Sequence, residues 1–233
     1  MWHFRKLSPI TDTLAVQCFK KAIDIYPENA EAHKWLASCH NNTWFFEFSR
    51  QGLFDSLVHA RRAMELDPTS AGCFAVYGFS QLWLDGIAAA EPYYQQALSL
   101  NSGDPGVLIE VGLLNVYSGN LSVANEFFHQ AFRLNPLPPL WYAEFRGVAE
   151  FVQGRYAEAL PAFAAVPYGA WDAMYEMACL GHLEDNRRIH SLRSRHSAAL
   201  HKWNLLEGAK AEPFRDPEAR ERLVAGVQKG LAL

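Results

Sequence analysis

The chain has 233 residues, half of them hydrophobic, and a formal net charge of −4 at pH 7. This length suffices for one large or two small globular domains, and the negative charge excludes long-range attraction to nucleic acid or anionic membranes except through a local basic patch. Four scattered cysteines without a CxxC pair indicate neither a disulfide framework nor a zinc site. We therefore expect a cytoplasmic protein with no nucleic-acid partner.

Membrane insertion and export are also not indicated. The N-terminus lacks the apolar core of a signal peptide. The longest apolar stretch, residues 106–117, is interrupted by Glu110 and Asn115 and is too short to span a bilayer. We expect no membrane contact.

A period runs along most of the chain. The segments 16–27, 57–68, 91–102 and 125–136 align, each with an alanine at the same place. The last three segments are 34 residues apart, whereas the first precedes the second by 41. This difference predicts a seven-residue insertion near the aromatic run 41–55. The aligned alanines are Ala22, Ala63, Ala97 and Ala131.

Apolar partner segments alternate with these segments along the chain. The partners cover 32–40, 73–81, 107–115 and 143–151, with apolar residues at helical spacing. Each carries a small residue at the same place, where a missing side chain would let a neighbouring helix approach closely. These small residues are Ala37, Gly78, Gly112 and Gly147.

A helix, a short turn and a second helix repeated every 34 residues resemble the tetratricopeptide repeat family. The resemblance covers about residues 12–166 and implies an all-α fold. The expected architecture is a right-handed superhelix (α-solenoid) of about five to six helical pairs with a C-terminal capping helix. We assign residues 1–204 to the repeat array, with a degenerate last repeat at 167–204, and residues 205–233 to the tail and its capping helix.

The end of the chain is less regular than its middle. We expect the last pair to turn at Gly181 and the tail to carry one helix, which begins after Asp216 as N-cap and Pro217 as first helical residue. Pro92 falls within the second helix of its repeat, where we expect it in the first turn.

A narrower resemblance comes from the opening WHF, the aromatic run NTWFFEFS at 42–49 and the tail PFRDPEARERLVAGVQKGL at 213–231. Together they are similar to the C-terminal repeat region of bacterial class III adenylate or guanylate cyclases and of related winged-helix transcriptional regulators. The resemblance implies a regulatory or sensing module of a signalling system and brings no catalytic residues. The alternative is a regulatory fragment of a cyclase whose catalytic domain is outside this chain.

No motif for catalysis occurs in the sequence. The phosphate loop GxxxxGK[ST], the dinucleotide turn GxGxxG, the zinc helix HExxH and the hydrolase elbow GxSxG are all missing. Four histidines near the end are spaced by eight, six and five residues, which does not fit a helical metal pair. We expect no catalytic residue, cofactor or metal ligand. The histidines are His182, His190, His196 and His201.

The family resemblance implies that the first helix of each pair lines a concave groove. This groove would be apolar and suited to a partner segment, which we expect to pack on Trp83, Tyr117 and Trp141. A clamp for a terminal carboxylate is not favoured, because only Lys34 and Asn41 match such a site. The expected groove residues are Phe79, Trp83, Ile109, Leu113, Tyr117, Trp141, Val148 and Val152.

Two other uses of the apolar surface stay open. The C-terminal segment could fold back into the groove through Phe214, Leu223, Val224 and Val227, or the surface could pair with a second copy as a homodimer. A short basic segment offers a possible contact face for an acidic partner, although a solvated outer helix face explains it more simply. Its arginines are Arg187, Arg188, Arg193 and Arg195.

Overall fold

The structure is a computed structural model that describes residues 9–166, 169–197, 200 and 202–233. Within these residues it contains thirteen α-helices and no β-strand. The opening WHF and His201, both used in the sequence analysis, lie outside the described residues. The helices are α1 (Pro9–Ile25), α2 (Ala30–Glu47), α3 (Arg50–Leu66), α4 (Ala71–Asp85), α5 (Ile87–Leu100), α6 (Pro105–Tyr117), α7 (Leu121–Leu134), α8 (Leu140–Val152), α9 (Tyr156–Ala164), α10 (Ala170–Leu183), α11 (Asn186–Arg195), α12 (Leu205–Ala211) and α13 (Pro217–Ala232).

The helices pack as successive pairs. There are five pairs among the described helices, from α2 with α3 to α10 with α11, and in each the first helix packs against the second helix that follows it. Helix α1 packs on α2 and corresponds to the second helix of a pair that has no described first helix. The first helices also contact one another along the stack, as α2, α4, α6 and α8 do. Because no pair can bury its own apolar stripe, the stacking of neighbours builds the core. The predicted all-α solenoid is confirmed.

Local sequence signals set the helix ends. Asp104 precedes Pro105 and accepts hydrogen bonds from the backbone N–H groups of Gly106 (2.8 Å) and Val107 (3.2 Å), so α6 starts there. Asp216 caps α13 in the same way through the N–H of Glu218, with Pro217 as the first helical residue. The predicted start of the C-terminal helix is therefore confirmed.

The small residues of the first helices are points of close approach between paired helices. A Cβ atom added to Gly112 would lie 2.3 Å from the ring of Phe128, and one added to Gly147 would lie 3.0 Å from the Cβ of Ala162. The aligned alanines Ala97 and Ala131 are completely buried. The repeat pattern therefore reflects packing within and between pairs.

The seven-residue insertion lengthens one pair. Helices α2 and α3 have 18 and 17 residues, against 13 to 15 in the helices of the next two pairs. Helix α2 ends at Glu47, and its C-cap is Phe48, a non-glycine residue with a φ of 56°. The added turn carries Trp44 and Phe45 onto the inner face of the array, where they meet side chains of α4 and α10.

Three predictions about the end of the array, Pro92 and the tail were wrong. Gly181 lies inside α10, not in a turn. The glycine allows α13 to cross α10 closely, since a Cβ at this position would be 2.1 Å from the carbonyl oxygen of Gly226. Pro92 lies in the second turn of α5, past the first turn in which backbone N–H groups lack helical partners. The tail carries two helices, because Asn204 caps the short helix α12 through the N–H of Glu207.

The array also touches itself across its inner side. Helix α10 contacts α2, although seven helices separate them in the chain. The tail helices α12 and α13 both pack against α10. No helix in the described part of the chain is both long and apolar enough to cross a bilayer.

Candidate functional site: a cavity on the inner face

Most of the residues predicted to line a groove are buried in the core. The exposed fraction is at most 5% for Phe79, Trp83, Ile109, Leu113, Tyr117 and Val148. Trp141 and Val152 are partly buried and pack against the same core. In this conformation the first helices therefore do not form a continuous open groove, because their apolar side chains contact one another.

Aromatic side chains fill the central part of the inner face. The ring of Trp83 lies between Trp44 and Tyr117, with centroid distances of 5.5 and 5.6 Å. Phe214, from the tail, packs on Tyr117 at 4.8 Å. The tail segment therefore folds back onto the inner face at Phe214.

Glu212 fixes the tail in this position. Its buried carboxylate accepts hydrogen bonds from the hydroxyls of Tyr117 and Tyr175, both at 2.6 Å, and from the indole N–H of Trp171 at 2.9 Å. Burial raises the pKa of Glu212 to about 7, against the lowering effect of the three donors. The other three tail residues predicted to fold back lie on α13, which packs on α10: Leu223 and Val227 are buried there and Val224 is partly buried.

One part of the inner face remains open. A cavity of about 260 Å³ lies among the first helices α2, α4, α6 and α8 and the start of α10, and we call it the inner-face cavity. Phe79 and Trp141 are the two predicted groove residues that line it. Its lining comprises Lys34, Trp35, Ser38, Asn41, Asn42, Phe45, Phe46, Gly72, Ala75, Val76, Phe79, Asp104, Gly106, Val107, Glu110, Trp141, Glu144, Phe145, Val166 and Asp172.

Aromatic rings form much of the wall of the inner-face cavity. The ring of Phe45 lies 5.6 Å from that of Phe79 and 6.1 Å from that of Phe145, between centroids. Trp141 lies 5.3 Å from Phe145 in an edge-on arrangement. Residues from α2, α4 and α8 thus meet in one cluster, which requires the stack to curve around the cavity.

Two buried carboxylates also line the cavity. Glu144 on α8 is 4% exposed and Asp172 on α10 is 2% exposed. The Oε1 atom of Glu144 and the Oδ1 atom of Asp172 accept no hydrogen bond from any described residue. Burial raises the pKa of Glu144 to about 8, and burial together with the charge of Glu144 raises that of Asp172 well above its usual range.

A third carboxylate, Glu110 on α6, lines the same cavity. Burial raises its pKa to about 8, although the nearby hydroxyl of Tyr94 has a lowering effect. The other charged lining residues are already engaged: Lys34 pairs with Glu31 at 2.5 Å, and Asp104 caps α6. The inner-face cavity therefore holds more negative than positive charge whenever its carboxylates are ionised.

The residues that matched a carboxylate clamp serve the fold. The side-chain amide of Asn41 donates to the backbone carbonyl of Val76 at 3.2 Å and accepts from the hydroxyl of Ser80 at 2.8 Å. Lys34 is paired with Glu31, as described above. Together with the acidic lining, these contacts make the cavity unsuited to a partner carboxylate.

The acidic part of the cavity was not predicted, although the sequence contains a signal for it. Glu110 and Glu144 interrupt the apolar pattern of first helices at places that face other helices. An acidic residue at a buried place of a repeat is costly and so points to a specific role. The position of Asp172 beside Glu144 depends on the curvature of the array, which the sequence pattern does not encode.

The four arginines of the predicted basic face differ in their contacts. Arg195 donates to Glu176 at 2.6 Å, and Arg193 donates to the carbonyls of Gly230 (3.0 Å) and Leu231 (2.8 Å) at the end of α13. Arg188 pairs with Asp185, while Arg187 is exposed. Two of the four arginines thus hold α11 to α10 and α13, and a contact face for an acidic partner stays a prediction.

Metal binding is not supported within the described residues. They contain no group of three or more His, Cys, Asp or Glu side chains placed to hold an ion. His182 stacks on Tyr156 at 4.3 Å, and its Nε2 lies 2.9 Å from the carbonyl oxygen of Arg222.

Comparison with known proteins agrees with this architecture. Residues 110–173 match the tetratricopeptide repeat family. A curated relative, cellulose synthase operon protein C of Komagataeibacter xylinus, is 28% identical over 170 residues, which cover 71% of this chain. The match spans 12% of the length of that relative.

Two solved structures are similar to this chain. A crystal structure of the APC/C hetero-tetramer Cut9–Hcn1 matches with a TM-score of 0.55 at 13% identity, covering 93% of this chain and 46% of that chain. A tetratricopeptide repeat protein from Parabacteroides merdae matches with a TM-score of 0.48 at 18% identity, covering 94% and 93%. The first of these likenesses extends over nearly the whole chain, and it concerns the fold alone.

Proposed function

We propose that this tetratricopeptide-repeat chain is a non-catalytic recognition module that binds a segment of a partner protein at the inner-face cavity. Tetratricopeptide-repeat proteins mediate protein–protein interaction, and the concave side of a solenoid is their extended binding surface. A regulatory or sensing role in a bacterial signalling system is part of this proposal and rests on the sequence resemblance described above.

The observation that carries the proposal is the contrast between the cavity and the rest of the inner face. Aromatic packing and the tail fill the centre of that face, but an opening of about 260 Å³ is left among four first helices. Small-molecule sites usually measure about 300–1,000 Å³. The cavity is thus sized for one or two inserted side chains, with the rest of a partner segment lying outside it.

Site-specific photo-crosslinking in the native host tests the proposal. A benzophenone amino acid replaces Phe46, a partly buried lining residue, and in a control it replaces Val123, which is exposed on α7. We expect one protein to crosslink at position 46 and not at position 123. Equal labelling at both positions, or none at 46, would contradict the proposal.

A plugged variant shows whether binding uses the cavity itself. Ser38 lines the cavity and is partly buried, so Ser38→Trp should fill the opening. Ser99→Trp, at an exposed position on α5, adds the same side chain elsewhere. The Kd of the purified crosslinked partner should rise at least about tenfold for Ser38→Trp, which is about 1.4 kcal/mol, and stay unchanged for Ser99→Trp. An unchanged Kd for both would place binding elsewhere on the molecule.

A further inference from the structure

Acidic groups that line the inner-face cavity lack hydrogen-bond partners among the described residues. Glu144 and Asp172 are almost fully buried, and each has a carboxylate oxygen that accepts no hydrogen bond from the described residues. Buried ionised groups are normally paired, because the loss of hydration is costly. Burial keeps these two carboxyl groups protonated near neutral pH in the free chain, because it raises the pKa of each. A cationic donor that enters the open cavity would favour their ionised form and satisfy the unpaired oxygens, so the cavity is suited to such a donor.

We infer that the inner-face cavity binds a lysine side chain of the partner segment, whose ammonium group donates to Glu144 and Asp172. This inference rests on the proposed function and specifies the chemistry of the inserted side chain. Lys34, which lines the same cavity, cannot take that place while its ammonium group is paired with Glu31 at 2.5 Å. We therefore expect the cation that pairs with Glu144 and Asp172 to come from another molecule.

The walls of the cavity suit the rest of a lysine side chain. Phe45, Phe79 and Phe145 lie within 6.3 Å of one another, between ring centroids, and Trp141 stands beside Phe145. The four methylene groups of lysine can pack on these rings while the charged end reaches polar atoms. Ring faces also attract a cation that has lost its water, so walls and carboxylates favour the same ligand.

The acceptor set favours an ammonium group over other cations. An ammonium group has three donors, whereas a guanidinium group has five in a fixed plane. Three lining oxygens accept no hydrogen bond from the described residues, and this number matches three donors better than five: Glu110 Oε2, Glu144 Oε1 and Asp172 Oδ1. A bound metal ion is not supported, because the described residues contain no ligand group of the required geometry.

Peptide pools test the inference with the full-length chain. The probes are three pools of nine-residue peptides, blocked at both ends, with randomised flanks and a central lysine, arginine or norleucine. Norleucine keeps the lysine stem and removes the charge. We expect the immobilised chain to retain the lysine pool at least about tenfold better than the norleucine pool. Equal retention of these two pools, or better retention of the arginine pool, would overturn the inference.

Matched charge variants place the effect at the cavity. Glu144→Gln with Asp172→Asn removes both acceptors, whereas Glu126→Gln with Glu158→Gln removes two exposed acids on α7 and α9. The preference for lysine should vanish in the first double variant and persist in the second. A preference that persists in the first double variant would assign lysine binding to another place.

The same assay separates this inference from the proposed function. If all pools bind alike and Ser38→Trp abolishes their retention, the cavity binds peptide segments without selecting lysine. In that case the inference about lysine fails and the proposed function stands. If no pool is retained above the level of Ser38→Trp, both fail. The melting temperature of Glu144→Gln with Asp172→Asn should rise at pH 8, since ionised acids kept for binding are costly to the fold. A lowered melting temperature would show a structural role instead.

Discussion

The hydroxyl of Tyr117, at the end of α6, donates a 2.6 Å hydrogen bond to the carboxylate of Glu212, which lies 95 positions later in the chain. Because Trp171 and Tyr175 donate to the same carboxylate, Glu212→Ala would leave three buried donors without an acceptor. We expect it to lower the free energy of unfolding by at least about 3 kcal/mol, measured by urea denaturation.

Glu212→Gln is the control for this contact, because it keeps the shape and one carbonyl oxygen. The two tyrosine hydroxyls can then accept from the new amide group, so the loss should be about 1 kcal/mol. The alanine variant should also expose the tail segment to limited proteolysis near Phe214. If alanine and glutamine cost the same, the hydrogen bonds of Glu212 do not hold the tail.

The packing of Phe128 on Gly112 gives a second prediction. A methyl group at Gly112 would lie 2.3 Å from the ring, so Gly112→Ala should destabilise the array by about 1–3 kcal/mol through overpacking. Gly103→Ala is the control, since its Cβ would lie 3.5 Å from the side chain of Asn101 in a loop. Thermal unfolding of the two variants side by side measures the difference, and equal melting temperatures would contradict the close packing.

The buried Glu144 gives a third prediction, on pH. Its pKa is raised from the ordinary 4.5 to about 8 in the folded chain, so between these values the folded state binds more protons than the unfolded state. Its contribution to stability is therefore present at low pH and is lost as the pH rises towards 8. Between pH 6 and 8 we expect Glu144→Gln to gain stability over the unmodified chain by up to about 1.4 kcal/mol per pH unit.

The measurement is urea denaturation of both proteins at several pH values from 5 to 9. The cavity is also lined by Asp172, Glu110 and Lys34. Because the pKa of Asp172 is raised as well, the double change with Asp172→Asn should enlarge the effect. A stability difference that is constant with pH would mean that Glu144 keeps an ordinary pKa.

A histidine cluster gives a fourth prediction with the opposite sign. The Nε2 atom of His33 donates to the carbonyl of Pro27 at 3.1 Å, so its Nδ1 accepts from the Nδ1–H of His59 at 3.1 Å, while His40 stacks on His59 at 5.8 Å. Burial, with the charges of His33, His40 and Lys20, lowers the pKa of His59 to about 4 from 6.5, although Asp55 has a raising effect.

The unfolded chain therefore binds the proton of His59 first, and stability should fall as the pH drops from 6.5 towards 4. His59→Gln keeps a donor for His33 and should reduce the loss of melting temperature between pH 7 and 4.5. His190→Gln, at an exposed position on α11, should leave that loss unchanged. If the melting temperature falls by the same amount in all three proteins, protonation of His59 does not cause the loss of stability in acid.

The repeat period predicted the helical pairs because each pair depends on near neighbours. The spacing of Ala63, Ala97 and Ala131 follows from contacts within about one repeat, and such contacts leave a periodic trace in the sequence. The start of α13 was equally local, since Asp216 and Pro217 act on their own helix.

The inner face could not be predicted in this way. Phe45 meets Phe145 and Trp171 only because the stack curves until α10 reaches α2. Curvature results from small rotations summed over several pairs, and no single segment records the sum. The expected groove residues lie on first helices, but their burial and the acidic cavity depend on contacts between distant repeats.

The contact of α10 with α2 changes how the molecule should respond to force and to truncation. An open solenoid unfolds repeat by repeat, because each unit has only two neighbours. Here the first and last complete pairs support each other, so removing either end takes a neighbour from both. When the chain is pulled from its two ends, we expect it to resist until the contact between α2 and α10 breaks and then to unfold in one large step. An open solenoid would instead unfold in several small steps.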